Sequence, residues 1–238
     1  MSPVYFAPAP SDSLPPVKVD CVIVAAGAST RFGGDKLFAV LEGRPVLAWS
    51  LAAFASLADL GCLVVVTSPG RVAEVDGVVR EWAGKSCVSV VTGGDRRRDS
   101  VEAGLRACST RYVAVHDGAR PLVTTSLIQR IVVAAEGKPG AIASVAVTDT
   151  IKEARAGVIT GHPDRSVLWA AQTPQVVLRQ AWLDAAATSD NDETDDAAML
   201  ARIGLECAIV EGDPDNIKIT RPLDLEIARA ILRARSRE

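Results

Sequence analysis

The sequence predicts a doubly wound α/β domain, and two observations carry that prediction. Short continuous apolar runs alternate along the chain with amphipathic stretches, and most of those runs are apolar at every position and not at alternate ones. Strands buried on both faces and separated by helices form a mostly parallel sheet with helices on both sides.

Taken in order, residues 1–17 hold five prolines, at positions 3, 8, 10, 15 and 16, and little periodicity. They are expected to be a disordered leader to a single domain over 18–238. Asp20 to Ala26 is a short apolar run ending at Gly27, as in a strand buried on both faces, and a glycine-bearing loop follows to about Lys36. From Pro45, the residues Leu47, Leu51, Phe54 and Ala58 recur at spacings of three or four, which predicts a helix ending near Gly61. The run CLVVVTS from Cys62 is then a second buried strand. The alternation predicts helices from about Arg71 to Trp82, Arg98 to Ala107 and Thr125 to Glu136, with strands at Val88–Val91, Tyr112–His116 and near Ala141–Val147. Between Thr148 and Leu168 the pattern breaks into short, polar, Gly-containing strands. This predicts a protruding β-hairpin arm over about 147–169, of the kind that reaches a neighbouring subunit. Helices near Val177–Ala187 and Asp195–Ile203, a strand at CAIVEG and a helix from Pro222 complete the domain.

Composition excludes several functions. With 26 Lys and Arg against 29 Asp and Glu, the net charge of −3 provides no general field for duplex DNA or an anionic membrane, so an anionic ligand must meet a local basic cluster. The five cysteines form no C-x-x-C pair and lie mostly in apolar runs, so they read as core residues of a reducing compartment. Two isolated histidines, His116 and His162, do not make a zinc site with them. No apolar stretch reaches the length of about 18 residues that spans a bilayer, and no signal pattern opens the chain, so a cytoplasmic location is expected.

Ligands of open α/β sheets sit past the carboxyl ends of the strands. After the first strand, Ala25 to Lys36 (AAGASTRFGGDK) offers small residues that expose backbone N–H groups to an anion, with Arg31 and Lys36 adding charge. It fits neither the dinucleotide fingerprint, since Ser29 stands at the second glycine position, nor a P-loop. A tight turn with solvated charges fits this segment as well. After the third strand, Thr92 to Ser100 (TGGDRRRDS) could take a base and ribose through Gly94, Asp95 and Ser100, or simply be a turn with Asp99 or Ser100 capping a helix. After the fourth, His116 to Pro121 (HDGARP) places Asp117 where it could orient a metal or a hydroxyl, and Arg120 where it could fork onto a phosphate. A surface Asp–Arg pair is the alternative. Near the C-terminus, Asp215 to Pro222 (DNIKITRP) carries Lys218 on an extended stretch.

Together these segments, with DTIK, TPQ and TDDA, resemble the 2-C-methyl-D-erythritol 4-phosphate cytidylyltransferase family, a branch of the sugar-phosphate nucleotidylyltransferases that share a Rossmann-like sheet. The resemblance runs from about Cys21 to the final helix. Asp35 stands where the family often has proline, and Gly118 where alanine is common. The resemblance implies transfer of CMP from CTP to methylerythritol 4-phosphate with release of pyrophosphate, a step of isoprenoid precursor synthesis. An attacking phosphate needs no general base, which agrees with the lack of a Ser-His-Asp or paired-carboxylate pattern. By the same resemblance, Arg31, Lys36, Arg165 and Lys218 are catalytic, and Ala25, Ala26, Gly27, Gly94, Asp95, Ser100 and Gly118 hold the nucleotide. Asp117, Arg120, Thr150, Arg165, Thr173 and Lys218 meet the methylerythritol phosphate. Mg²⁺ is carried mainly by the triphosphate, with Asp117 as the one possible protein ligand. Thr150 and Arg165 lie in the arm, so a homodimer with shared sites is implied. The rival readings are a cytidylyltransferase for ribitol 5-phosphate or another polyol phosphate, and a non-catalytic nucleotide-binding module.

Overall fold

The computed structural model describes residues 17–27, 31–84, 86–188 and 191–237. The leader expected over 1–17 thus lies outside the described residues except for Val17, which packs half-buried against the core.

Seven strands form the central sheet: β1 (Val19–Ala25), β4 (Leu60–Thr67), β5 (Cys87–Thr92), β6 (Tyr112–Asp117), β7 (Gly140–Ala146), β10 (Trp169–Leu178) and β11 (Ala208–Glu211). Their order is β11-β7-β10-β6-β1-β4-β5. β1 pairs parallel with β4 and β6, β4 with β5, and β7 with β11, whereas β10 runs antiparallel between β6 and β7.

Alternation along β1 explains the two layers. Cys21 and Ile23 face one core with Leu47, Leu51 and Phe54 of helix α1 (Val46–Ala55), Val75 and Val79 of α2 (Val72–Trp82), and Ile128 and Ile131 of α4 (Thr125–Ala135). Val22 faces the other core with Val101 and Leu105 of α3 (Arg97–Arg106), Trp182 of α5 (Arg179–Thr188), and Met199 and Leu200 of α6 (Asp196–Ala201). Each such fully buried side chain stabilises the fold by about 1.5–3 kcal/mol. The expected doubly wound, mostly parallel sheet is therefore observed. α3 sits close on β1 because Gly104 has no side chain: a Cβ there would fall 2.5 Å from a methyl of Val22.

Helix ends follow local chemistry. The Thr124 side chain accepts from the Leu127 N–H at the start of α4 (3.2 Å). α7 (Pro222–Arg235) begins with proline, and its Asp224 carboxylate accepts from the Arg221 N–H (2.8 Å). α7 closes a third, smaller core with Leu41, Val46 and Ile219.

Two expectations need correction. Residues 177 and 178 end β10 instead of opening a helix, and the ten-residue strand itself was not foreseen. Its TPQ segment is polar and contains proline, features that argue against a central strand. The chain accommodates them at a register break between Ala171 and Gln175. A small hairpin of β2 (Val40–Leu41) and β3 (Arg44–Pro45) also precedes α1. Finally, not all the cysteines are core residues: Cys87 is exposed, and Cys62 and Cys207 are only partly covered.

The arm is a hairpin of β8 (Glu153–Arg155) and β9 (Val158–Gly161). Its two-residue loop has positive φ at Ala156 and Gly157, as a turn matched to strand twist requires. At its base the Val147 N–H donates to the Leu168 carbonyl (3.1 Å).

Candidate active site

Because β1, β5 and β6 run in one direction, the segments after them meet at one end of the sheet. There they enclose a cleft of about 180 Å³. The first wall is Ala25, Ala26 and Gly27, at the end of β1 and directly after it. Residues 28–30, in the middle of the glycine-bearing loop, lie outside the described residues. Further on, Lys36 faces the cleft while Leu37 is buried in the core. The residue that departs from the family pattern fixes this turn: Asp35 accepts from the Leu37 N–H (3.1 Å) and forms an ion pair with Arg71. Arg31 is exposed and near enough to Lys36 to repel it.

The second wall is Gly94, Asp95 and Ser100. The Ser100 hydroxyl donates to the Gly94 carbonyl (3.3 Å), and a Cβ on Gly94 would fall 2.5 Å from that of Asp99. Asp99 also accepts from the Arg96 N–H (3.3 Å), so the helix-capping alternative holds for Asp99 while Ser100 turns toward the cleft.

Asp117, at the end of β6, is the electrostatic hub. Its carboxylate lies 2.8 Å from the Lys218 ammonium, 3.8 Å from Arg120 Nε and 3.9 Å from Arg97 Nε. Burial alone would raise its pKa, yet Lys218, Arg97 and Arg120 hold it far below the usual carboxylate range. Arg97 is itself clamped by Asp196, which is fully buried, through bonds of 2.6 and 3.2 Å. Trp182 Nε1 donates to the same carboxylate (3.1 Å), and the Gln175 side-chain oxygen accepts from the Asp196 N–H (2.9 Å). Lys36 has no ion-pair partner within 4 Å among the described residues. Burial first, then Lys218 and Arg31, push its pKa down against the pull of Asp117 and Asp35. The cleft therefore holds more positive charge than its own carboxylates neutralise, which suits a polyanion.

Lys218 reaches the cleft because its segment is zipped to the HDGARP turn. The Ile219 N–H donates to the Ala119 carbonyl (2.8 Å), and Arg120 donates to the Asn216 carbonyl (2.7 Å). Behind Asp117, the network assigns His116 as the Nε2–H tautomer, because Nε2 is 3.1 Å from the Arg120 carbonyl, which only accepts. Nδ1 then accepts from the Thr173 hydroxyl (3.1 Å), whose oxygen accepts from the Asp117 N–H (3.0 Å). Burial lowers the His116 pKa to about 4, so the ring is neutral.

Nine residues singled out in the sequence thus line one cleft: Ala25, Ala26, Gly27, Lys36, Gly94, Asp95, Ser100, Asp117 and Lys218. Others stand elsewhere. Thr173 is buried, with its hydroxyl engaged behind Asp117. Arg120 turns inward onto the Asn216 carbonyl and does not fork into the cleft. Gly118 lies under the turn, where a Cβ would press on Leu47 and Ile23 at 3.1–3.2 Å. Thr150 and Arg165 are exposed on the arm and do not line this chain's own cleft; Arg165 donates to the Thr148 carbonyl (2.7 Å). Arg97 and Asp196 were missed. Three consecutive arginines gave no sign of which one joins Asp196 at the cleft and which, Arg98, is buried against the Ala186 carbonyl, although Arg97 and Ser100 share a helix face at a spacing of three. Among the described residues no group of three or more His, Cys, Asp or Glu could hold a metal ion.

Comparison with known proteins agrees with this geometry. A family model described as 2-C-methyl-D-erythritol 4-phosphate cytidylyltransferase matches residues 19–234. A protein of that name from Synechococcus elongatus is 41% identical over 222 residues, which cover 90% of this chain and 96% of the relative. One from Geotalea uraniireducens is 37% identical over 229 residues, covering 92% and 98%. The crystal structure of the protein of that name from Thermus thermophilus superposes with a TM-score of 0.75 at 31% identity, covering 91% of this chain and all of that one. A 4-diphosphocytidyl-2C-methyl-D-erythritol synthase from Anaerococcus prevotii gives a TM-score of 0.81 at 23% identity, covering 91% and 96%, which bears on the fold alone. A cation-rich cleft built from the family's own motifs and a match over nearly the whole described chain lead to one conclusion: the chain belongs to the 2-C-methyl-D-erythritol 4-phosphate cytidylyltransferase family.

Proposed function

We infer that the chain transfers CMP from CTP to 2-C-methyl-D-erythritol 4-phosphate, forming 4-diphosphocytidyl-2-C-methyl-D-erythritol and pyrophosphate for isoprenoid precursor synthesis. The observation that carries this reading is the convergence of Lys36, Arg97 and Lys218 on one cleft beside the backbone of Ala25–Gly27 and Gly94. The phosphate oxygen of the acceptor attacks the α-phosphorus of CTP, the bond to the β-phosphate oxygen breaks, and pyrophosphate leaves. The difficulty is charge: at about 4 Å and an effective dielectric near 20, each pair of like unit charges repels by about 4 kcal/mol. Fixed cations and alignment therefore supply the catalysis.

Lys36 and Arg31 are assigned to the charge that builds on the α-phosphate, and Lys218 to the attacking phosphate, with Asp117 orienting the Lys218 ammonium. Gly94, Asp95 and Ser100 read the cytosine, and Gly118 lets the Asp117 turn lie flat beneath the ribose. Mg²⁺ would be held mainly by the triphosphate, because Asp117, the one candidate carboxylate, is already engaged by Lys218 at 2.8 Å and flanked by Arg120 and Arg97. Bound there, the ion would neutralise triphosphate charge.

The arm is assigned to a second copy of the chain, whose cleft would receive Thr150 and Arg165. This is supported by four apolar side chains, Ile151, Val158, Ile159 and Val167, left in water on the arm or at its base, with Val158 66% and Val167 70% exposed. Among the described residues no helix is long and apolar enough to cross a membrane. Dependence on CTP supports a cytoplasmic location.

The test is pyrophosphate release with CTP, UTP, ATP and GTP, each against methylerythritol 4-phosphate and ribitol 5-phosphate. Turnover with CTP and methylerythritol 4-phosphate at least tenfold above every other pair is expected. Preference for ribitol 5-phosphate, or no release with any pair, would overturn the reading.

A further inference from the structure

Cys62 and Cys87 face each other at the end of the sheet remote from the cleft. They are direct partners in the parallel register of β4 and β5, so their side chains leave the same face of neighbouring strands. Neighbouring strands lie about 4.7–4.9 Å apart, inside the Cα separation of about 4.4–6.8 Å that a disulfide spans. The two Sγ atoms are 2.7 Å apart. β5 is the edge strand of the sheet, and Cys87 is exposed on it. The Cys62 backbone is held from the other side, its N–H donating to the buried Asp20 carboxylate (2.7 Å). The other cysteines are placed differently: Cys21 and Cys108 are buried, and Cys207 lies on the segment leading into β11.

We propose that Cys62 and Cys87 form a thiol–disulfide exchange site that takes a low-molecular-weight disulfide and ends as a reversible intrachain bond between β4 and β5. Cys87 is the entry point, because it is the exposed member of the pair while Cys62 is partly covered. Its thiolate attacks one sulfur of the disulfide, forming a mixed disulfide and releasing one thiolate. The Cys62 sulfur, after losing its proton to solvent, then attacks the Cys87 sulfur and expels the second thiolate. The protein loses two protons and two electrons, and the small disulfide is reduced to two thiols. Burial first, then Cys87 and Asp20, push the Cys62 thiol up to about 11, which fits a resolving group that acts second. Five residue steps along β4 take the chain from Cys62 to Thr67 at the cleft end, about 17 Å of strand, so the bond staples the sheet edge without entering the cleft.

The experiment uses the full chain, reduced, freed of reductant and incubated with oxidised glutathione, then acid-quenched, alkylated and weighed intact. Two of the five thiols should become unreactive to alkylation, with a mass loss of two hydrogens, a peptide linking Cys62 to Cys87, and full reversal by dithiothreitol. Cys62→Ser should stop at one glutathionyl group on Cys87, and Cys87→Ser should take none on Cys62. The proposal is overturned if the wild type keeps five alkylatable thiols, accumulates the mixed disulfide, cross-links between chains, or oxidises equally well as Cys87→Ser. The wild-type measurement decides the matter even if a variant fails to fold.

Discussion

Replacing Lys36 with methionine separates catalysis from stability, because the structure assigns the two effects opposite signs. The ammonium has no ion-pair partner within 4 Å among the described residues, and burial, Lys218 and Arg31 all act against its charge. Its pKa is lowered in the folded state, so between that value and the ordinary 10.5 the unfolded chain binds more protons and stability rises with pH. At neutral pH, below that window, charged Lys36 is a net cost to the fold. Lys36→Met keeps the aliphatic stem and removes the cost, so the urea midpoint at pH 7 should equal or exceed that of the wild type, with a flatter rise as the pH approaches the ordinary 10.5. Catalysis should move the other way. A unit charge lost about 4 Å from a phosphate oxygen removes about 4 kcal/mol at a dielectric near 20, and roughly half of that if solvent in the open cleft screens it. That range is a loss of about 30- to 1000-fold in kcat. Steady-state pyrophosphate release and urea unfolding on the same sample are the assays. A kcat within about tenfold of wild type, or a loss of activity matched by a loss of stability, would refute the assignment of Lys36 to charge on the reacting phosphate.

Mixing Arg165→Ala chains with Lys36→Ala chains should restore about a quarter of wild-type turnover, since random pairing makes half the dimers mixed and each has one intact shared site; no restoration would mean that each site is built from one chain. Asp196→Ala removes the buried half of its pair with the partly covered Arg97, and the acceptor of Trp182 Nε1, and should cost about 3 kcal/mol in urea unfolding, against under about 1 kcal/mol for loss of the exposed Glu102–Arg106 pair. His116 is held neutral with a pKa near 4 against an ordinary 6.5, so its contribution to stability is complete above pH 6.5 and lost as pH falls to 4. That contribution is about 3 kcal/mol, and in His116→Gln the acid limb of a stability–pH curve should flatten accordingly. Arg31→Ala should reduce kcat by at least tenfold with unfolding unchanged, as expected for an exposed side chain that acts only on bound phosphate.

What the sequence made legible followed from periodicity and from the position of polar residues at strand ends. β1, β4 and β6 are apolar at nearly every position because both faces are covered, and that pattern located three parallel strands and the loops after them. β10 was invisible for the converse reason. Gln172, Thr173 and Gln175 are buried polar residues whose hydrogen bonds run to Asp213, His116 and Asp195, and such partners have no periodic signature. The same limit explains Thr173, which the motif marked for the substrate and which spends its hydroxyl inside the protein. It explains Arg97 as well: helical phase decides which of three neighbouring arginines reaches Asp196 and Asp117, and it turns Arg98 instead onto the Ala186 carbonyl inside the protein. Cys62 and Cys87 looked like core residues because each sits in an apolar run, but β5 is an edge strand, and edges are a property of sheet order that a single run does not encode.

The distribution of charge explains how one set of residues serves both fold and site. Arg97, Arg120 and Lys218 are each neutralised by a carboxylate that the fold buries, Asp196 or Asp117, and these pairs fix where the cleft walls stand. Within 4 Å, Lys36 and Arg31 have no such partner among the described residues, and their mutual repulsion persists while the cleft is open to water. Uncompensated charge is tolerable there because both side chains belong to a loop outside the cores, where electrostatic cost is moderated by solvent. A polyanion entering the cleft removes that repulsion and displaces the same water. The two cations that contribute least to folding are thus the two with the most to gain from a phosphate, and a transition state with added charge on its phosphoryl oxygens gains more than the ground state does.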